Sequence, residues 1–160
     1  MQITLTVKKA YVYEDVQMYS SYSGAKLADS DATAYNRIRS TDEDRQLLER
    51  FWMEASNGAT EQLRPFIVSV TTQSSLPQRV MDLTADYIVN LNVSNGFDIA
   101  LRESVEGSLY TYFVNFITSR WYQFANKEES EKYGTNAAAA MDDVMRKIYS
   151  RKKPTRTPIP

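Results

Sequence analysis

Hydrophobic and polar positions follow two periods along the chain, and each period predicts a different kind of element. A period of two with many β-branched residues indicates strands at 3–7, 67–73 and 86–94. Apolar side chains at every third or fourth position indicate helices at about 9–22, in the stretch STDEDRQLLERFWMEASNGATEQLRPF, and at about 98–126 and 129–150. The predicted fold class is mainly α, roughly a four-helix bundle with an inserted β-hairpin or ribbon at about 67–94 and an extended C-terminal arm.

The helix ends are marked by capping and breaking residues. Gly24 is expected to end the first helix, and Pro65 to end or kink the second. Ser40 or Thr41 can cap the second helix, with Glu43 or Asp44 as the capping-box partner three residues later. Each of the last three predicted helices has one apolar face, formed in turn by Leu47, Leu48, Phe51, Trp52, Ala55, Ala59, Leu63; Leu101, Val105, Leu109, Tyr112, Phe113, Phe116, Ile117, Trp121, Phe124; and Tyr133, Ala137, Ala140, Met141, Val144, Met145, Ile148.

The two later strands predict a ribbon with two unlike faces. Alternation places Val89, Leu91 and Val93 on one face. The other face carries Ile88, Asn90 and Asn92. An unpaired ribbon edge invites a strand from another chain, whereas the alternative is a small covered sheet within one subunit.

Composition removes several kinds of chemistry. The chain has no cysteine and no histidine, which excludes disulfides, Ser-His-Asp and Cys-His catalysis, and the usual His/Cys zinc sites. Asp42, Glu43 and Asp44 are candidate Mg²⁺ ligands, but acids in the first turn of a helix more often complement its dipole. No phosphate-loop, dinucleotide-binding or nucleophile-elbow pattern occurs. The sequence therefore predicts no enzyme, no metal and no cofactor.

Charge divides the chain into an acidic body and a basic end. Residues 1–145 hold twenty acids against thirteen Lys and Arg, a formal charge of −7, whereas the last fifteen residues carry +6. The basic end has three interpretations: an arm that lies along a partner, a disordered solubilising end, or a nucleic-acid-binding tail. The body, 1–150, is predicted to be one domain and 151–160 the arm. No apolar run is long enough to predict a membrane span.

The order of parts resembles the head-to-tail connector (adaptor or head-completion) proteins of tailed bacteriophages. The resemblance covers about 40–155 and rests on the helix opening DEDRQLLERFWMEA, the stretch ending LRPF, the following ribbon, SRWYQF near the end of a long helix, and a last helix with a basic end. Two features depart from the family pattern: the longer N-terminal 35 residues, and Pro65 where the family usually has a glycine.

This resemblance implies a structural virion protein of the phage neck, assembled in the bacterial cytoplasm. Copies would form a ring, commonly of twelve, between the portal protein and a downstream tail or stopper protein, with DNA passing through the lumen without specific binding. Portal docking is expected through Ile148, Tyr149, Arg151, Lys152, Lys153, Arg156 and Ile159. Contacts between subunits are expected through Val68, Val70, Ile88, Asn90 and Asn92. A small nucleic-acid-binding accessory protein and a metal-dependent carboxylate enzyme are the alternatives.

Overall fold

The structure, a computed structural model, describes residues 1–27, 32–71 and 86–156. These residues form three strands and five α-helices, in the order β1 (Gln2–Val7), α1 (Lys9–Leu27), α2 (Ala34–Ile38), α3 (Arg45–Leu63), β2 (Ile67–Thr71), β3 (Tyr87–Asn92), α4 (Arg102–Ala125) and α5 (Lys127–Ile148). Short 3₁₀ turns precede α3, follow it, and precede α4. The prediction of a mainly α fold with a small β insertion is confirmed.

The sheet has three strands in the order β1-β3-β2, and both pairings are antiparallel. The predicted two-stranded ribbon therefore lacked one strand of the sheet. β1 pairs along the other side of β3, from Gln2↔Asn92 to Val7↔Tyr87. This pairing leaves β3 central and without a free edge. The hydrophobic pattern predicted β1 as a strand, but a local pattern cannot specify a partner so far along the chain.

One face of the sheet is apolar and the other is polar, as the alternation predicts. Leu5, Val89 and Leu91 are fully buried against the helices. On the opposite face the Thr4 hydroxyl donates to Asn90 Oδ1 at 2.6 Å, and Asn90 Nδ2 donates to Ser69 Oγ at 2.8 Å. These two hydrogen bonds link all three strands across the open face.

Helix α4 lies at the centre of the molecule and packs against α1, α2, α3, α5 and β1. Its position follows from its wide apolar stripe, in which Phe113 is fully buried and touches the rings of Trp52 and Tyr87 at 4.7 and 5.1 Å between centroids. The predicted stripe is wrong at its end, since Phe124 is 74% exposed. Phe124 lies beyond the core and stacks on Phe51 at 6.3 Å.

The start of α3 confirms half of the predicted capping box. The Asp44 carboxylate accepts hydrogen bonds from the Thr41 backbone N–H at 2.8 Å and from its hydroxyl at 3.1 Å. The carboxylate thereby satisfies the Thr41 N–H, a backbone donor at the start of the helix that has no carbonyl partner within it. α3 then ends at Leu63, two residues before Pro65, as expected.

The predicted end of the first helix is wrong, because α1 continues through Gly24 to Leu27. A Cβ at Gly24 would lie 2.9 Å from the Tyr35 Cα and 3.2 Å from the Tyr35 carbonyl oxygen. The glycine therefore permits α2 to approach α1 closely. The short polar stretch 28–36, ADSDATAYN, predicts a loop. Its residues 28–31 lie outside the described part, and α2 begins within it at Ala34.

Replacing Gly24 with alanine is expected to destabilise the protein by about 1–3 kcal/mol, because the new methyl group meets backbone that cannot rotate away. Gly107 of α4 is the matched control, since nothing lies within 4 Å of its would-be Cβ. Gly107→Ala is expected to stabilise by up to about 1 kcal/mol through helix propensity. Urea unfolding of both variants measures the difference, and equal effects would contradict the close approach of α1 and α2.

Candidate docking surface at the C-terminal end

A polar cluster fastens the last turns of α5 to α4 and so positions the start of the arm. Asp143 Oδ2 accepts from the Ser108 hydroxyl at 2.6 Å and lies 2.6 Å from Lys147 Nζ. Lys147 Nζ also donates to Ser108 Oγ at 2.7 Å, and Arg146 pairs with the same aspartate. Hydrogen bonds hold the pKa of Asp143 well below its usual range. The bond from Lys147 contributes most, and those from Ser108 and Arg146 contribute less.

A serine beside a lysine raises the question of Ser–Lys nucleophilic chemistry. Such chemistry needs a neutral amine that removes the serine proton. Here the Lys147 ammonium is paired with the Asp143 carboxylate, and the Ser108 hydroxyl already donates to that carboxylate. The three side chains therefore form a hydrogen-bonded link between α4 and α5.

Asp143 predicts a loss of stability in acid. Because its folded pKa is depressed, its contribution is complete above the unfolded value of about 3.9 and is lost as the pH falls through the folded value. Asp143→Asn is expected to flatten the dependence of the unfolding free energy on pH below about pH 4. The neighbouring exposed Asp142 is the control, because within the described residues it forms no hydrogen bond or ion pair. Equal slopes for Asp142→Asn and Asp143→Asn in acid urea titrations would contradict the assignment.

The chain leaves α5 along a defined path. Tyr149 is 65% exposed, and its ring packs edge-on against Phe66 at 5.3 Å between centroids. Arg151 then forms an isolated antiparallel bridge with Phe97, and the Lys152 N–H donates to the Gly96 carbonyl at 2.8 Å. The arm is thus tied at its root to the loop that follows β3.

The arm displays exposed positive charge from its root onward. Arg151, Lys152, Lys153 and Arg156 are all exposed. Among residues 1–27, 32–71 and 86–156, none of the four has an acidic partner, whereas Arg146 and Lys147 are both paired with Asp143. Four of the six cations at the chain end are therefore exposed and without an acidic partner in the part of the chain that the structure describes.

Two apolar residues predicted for docking have different outcomes. Ile148 is only 2% exposed, because it lies on the face of α5 that packs into the core. That burial removes Ile148 from the expected docking surface and leaves Tyr149 as its exposed ring. Ile159 lies outside the described residues.

The residues expected at subunit contacts divide between an edge and a face. Val68, on the edge strand β2, is 52% exposed, and Val70 is partly buried against the core. Ile88, Asn90 and Asn92 lie on the central strand, so their backbone groups are not at an edge of the sheet. These three side chains belong instead to the open polar face.

A groove on the helical side of the molecule was not predicted from the sequence. α3 and α5 flank it, α4 forms its floor, and its volume is about 500 Å³. Arg120 lies over the ring of Phe116 at 5.2 Å and pairs with Glu54 at 3.1 Å beside it. Small residues, Gly58, Gly134 and Ala138, are part of its lining. A Cβ at Gly58 would lie 2.6 Å from the Tyr112 hydroxyl, so this glycine makes room for a side chain of α4.

A stripe of exposed side chains along α1 was also missed. Tyr11, Met18 and Tyr22 are each more than half exposed, and Tyr19 is partly so. Lys8 and Lys26 lie over the rings of Tyr11 and Tyr22 at 5.7 and 5.2 Å. Spacings of seven and four residues were visible in the sequence and mark one side of a helix.

The acidic residues do not assemble into an ion site in the described part of the chain. No group of three or more acidic side chains there is placed to hold a metal. Asp44 is occupied by Thr41, and the side chain of Asp42 lies outside the described part. None of the described helices is long and apolar enough to cross a membrane.

Comparison with known proteins found no relative. The chain matches no protein-family model, no curated protein and no solved structure.

Proposed function

We propose that the protein is a structural subunit of a phage neck ring that joins the portal to the tail and continues the DNA channel. Its arm docks on the portal protein, its sheet contacts neighbouring copies, and its far side receives a tail or stopper protein. Subunits of this kind, commonly twelve, form a closed ring through head-to-tail contacts.

The observation that carries the proposal is the arm. Four exposed cations with no acidic partner in the described structure extend from a root held by the Lys152–Gly96 hydrogen bond. A basic arm that is fixed at one end suits an acidic protein surface, because the arm loses little orientational freedom when it docks. The Tyr149 ring beside Phe66 adds an apolar contact at the base of the arm.

The charge of the body agrees with a DNA channel. Residues 1–145 carry a formal charge of −7, and like charge keeps DNA from adhering to the lumen of a ring. Those acids also disfavour the rival function, a nucleic-acid-binding accessory protein. That rival needs the four arm cations to hold phosphate against the repulsion of the body.

Deletion of residues 150–160 tests the proposal. Because Ile148 is buried and Ser150 is the first residue deleted, the truncated chain should keep its helical circular-dichroism spectrum. Its thermal midpoint should fall only slightly, through loss of the Lys152–Gly96 hydrogen bond. It is expected to fail to join DNA-filled heads to tails in an extract that lacks the native protein. Normal joining by the truncated protein contradicts the docking role of the arm.

A further inference from the structure

Helix α1 carries a line of large side chains on the side that faces away from the core. Val12 and Val16 are fully buried, whereas Tyr11, Met18 and Tyr22, here called the α1 stripe, are each more than half exposed. Spacings of seven and four residues align the three side chains along the helix, over about 17 Å at 1.5 Å per residue. Helices that dock in a groove carry their anchors in such a line, and Tyr and Met are enriched at protein interfaces.

The α1 stripe has positive charge at both ends. Lys8 Nζ lies over the ring of Tyr11 at 5.7 Å from its centroid, and Lys26 Nζ lies over the ring of Tyr22 at 5.2 Å. Both lysines are exposed, and neither is paired with an acid in the described part of the chain. The stripe therefore suits a partner surface that is apolar in the middle and negatively charged at its margin.

The groove between α3 and α5 matches the α1 stripe in length and in its apolar floor. The residues of α4 that line it run from Tyr112 to Gln123, an interval of eleven residues like that from Tyr11 to Tyr22. The floor is therefore also about 17 Å long. Phe116 supplies an aromatic surface along it, and the volume of about 500 Å³ leaves room for side chains of a docked helix.

Carboxylates from both flanking helices make this groove acidic. Glu61 of α3 and Asp142 of α5 line it and are exposed, and neither forms an ion pair within the residues that the structure describes. Arg120 is the only cation among the described lining residues, and Glu54 pairs with it at 3.1 Å. The charge at the margin of the groove is thus opposite to that at the ends of the α1 stripe.

The stripe and the groove of one chain lie on opposite sides of α4. On one side the Tyr110 hydroxyl donates to Asp15 of α1 at 2.6 Å, and on the other side Tyr112 lines the groove. Residues two apart on a helix differ by about 200° around its axis. The α1 stripe therefore cannot enter the groove of its own chain, and only a second copy can bring the two surfaces together.

From these observations we infer that α1 of one copy docks in the groove between α3 and α5 of a second copy. Tyr11, Met18 and Tyr22 contact the floor, and a lysine at one end of the stripe lies beside Glu61 and Asp142. Because the contact joins unlike surfaces, each copy keeps one of them free for a further copy. The association needs neither the arm nor a portal protein, so its failure and the failure of the proposed neck function are separate results.

Two variants of the full chain each disable one surface. Met18→Glu places a negative charge in the stripe, and Ala138→Arg fills the groove with a bulky cation at an exposed position of α5. Ala139 is exposed on α5 outside the groove lining, so Ala139→Glu and Ala139→Arg are the matched controls. Light scattering over a concentration series measures solution mass. The wild type and both controls should self-associate, whereas each disabled variant should need at least about tenfold more protein, a loss typical of a central interface residue.

Mixing the two disabled variants distinguishes a contact between unlike surfaces from other kinds of association. Ala138→Arg keeps its stripe and Met18→Glu keeps its groove, so an equimolar mixture should form a complex of two chains that does not grow further. Circular dichroism of each variant checks its fold, and Tyr22→Ser takes the place of Met18→Glu if that variant is not helical. A wild type that stays monomeric overturns the inference. So does a mixture that forms no complex, or a loss in the Ala139 controls equal to that in the disabled variants.

Discussion

Replacing Glu49 with alanine is expected to lower the free energy of unfolding by about 3–5 kcal/mol, a large part of the 5–15 kcal/mol that typically holds a domain together. Lys9 Nζ lies 2.9 Å from Glu49 Oε1 and donates to Oε2 at 3.0 Å, and the two side chains are 7% and 12% exposed. Removing the carboxylate leaves an ammonium buried between α1 and α3 without its counter-charge, and that desolvation is the source of the loss.

The surroundings of this pair offer little compensation. Tyr13 packs edge-on against Trp52 at 6.3 Å, and Lys9 Nζ lies 5.9 Å from the Tyr13 ring centroid. Burial, and then the negative charge of Glu49, raise the pKa of Tyr13, so its hydroxyl stays neutral. Without Glu49, no other anion is paired with Lys9 in the described part of the chain.

A double variant supplies the control. Lys9→Met with Glu49→Leu removes both charges and keeps apolar volume, so it is expected to be close to the wild type or more stable. Denaturant titrations of the two single variants and the double variant close a mutant cycle. A loss below about 1 kcal/mol for Glu49→Ala, the range of exposed ion pairs, would falsify the burial of this pair.

Neutralising the arm is expected to have the largest effect on binding. Arg151, Lys152, Lys153 and Arg156, all changed to Gln, should weaken association with the portal protein by roughly four- to a thousand-fold, since each exposed ion pair is worth about 0.2–1 kcal/mol. The unfolding free energy should hardly change, because these side chains have no acidic partner in the described structure. Titration calorimetry at two salt concentrations measures both the affinity and its screening.

The matched control changes the same number of charges elsewhere. Lys8, Lys26, Lys127 and Lys132 are exposed on the body, and their replacement by Gln alters the net charge equally. We expect this variant to bind the portal protein with nearly the affinity of the wild type. Equal losses in both variants would mean that net charge, and not the arm, governs the association.

Local patterns were sufficient to predict most of the helices and strands. The last helix was expected at 129–150 and spans Lys127–Ile148, and the long helix was expected at 98–126 and spans Arg102–Ala125 after a 3₁₀ turn. Both helices have apolar residues at helical spacing over many turns. Asp44 at the start of α3 acts as its spacing predicted, because a capping box depends only on neighbours in sequence.

The features that were missed depend on contacts between distant residues. α2 has only five residues, and its C-terminal end is held by the Trp121 indole N–H, which donates to the Ile38 carbonyl at 2.6 Å. Just beyond it, the Ser40 N–H donates to the buried Ser20 hydroxyl at 2.9 Å. Gly24 was misassigned for a related reason, since a glycine serves a close approach of two helices as well as a helix end.

For the candidate docking residues, the sequence predicted the charge of the arm but not the burial of its neighbours. The four free arm cations could be found from charge alone, because acids are absent after residue 143. The burial of Ile148 could not, since its place on the face of α5 is decided by the register against α4. The place of β2 at one end of the strand order could not be predicted, because it depends on β1 joining the other side of β3, which is a property of the assembled sheet.

Docking of the proposed subunit on a portal protein can be measured as solution mass by light scattering. The full chain is measured alone, with the candidate portal protein, and with double-stranded DNA. We expect a large complex of fixed stoichiometry with the portal protein and little association with DNA. If the protein does not bind the portal but binds DNA, with affinity that falls steeply as salt rises, the proposed neck function is wrong and the arm binds nucleic acid.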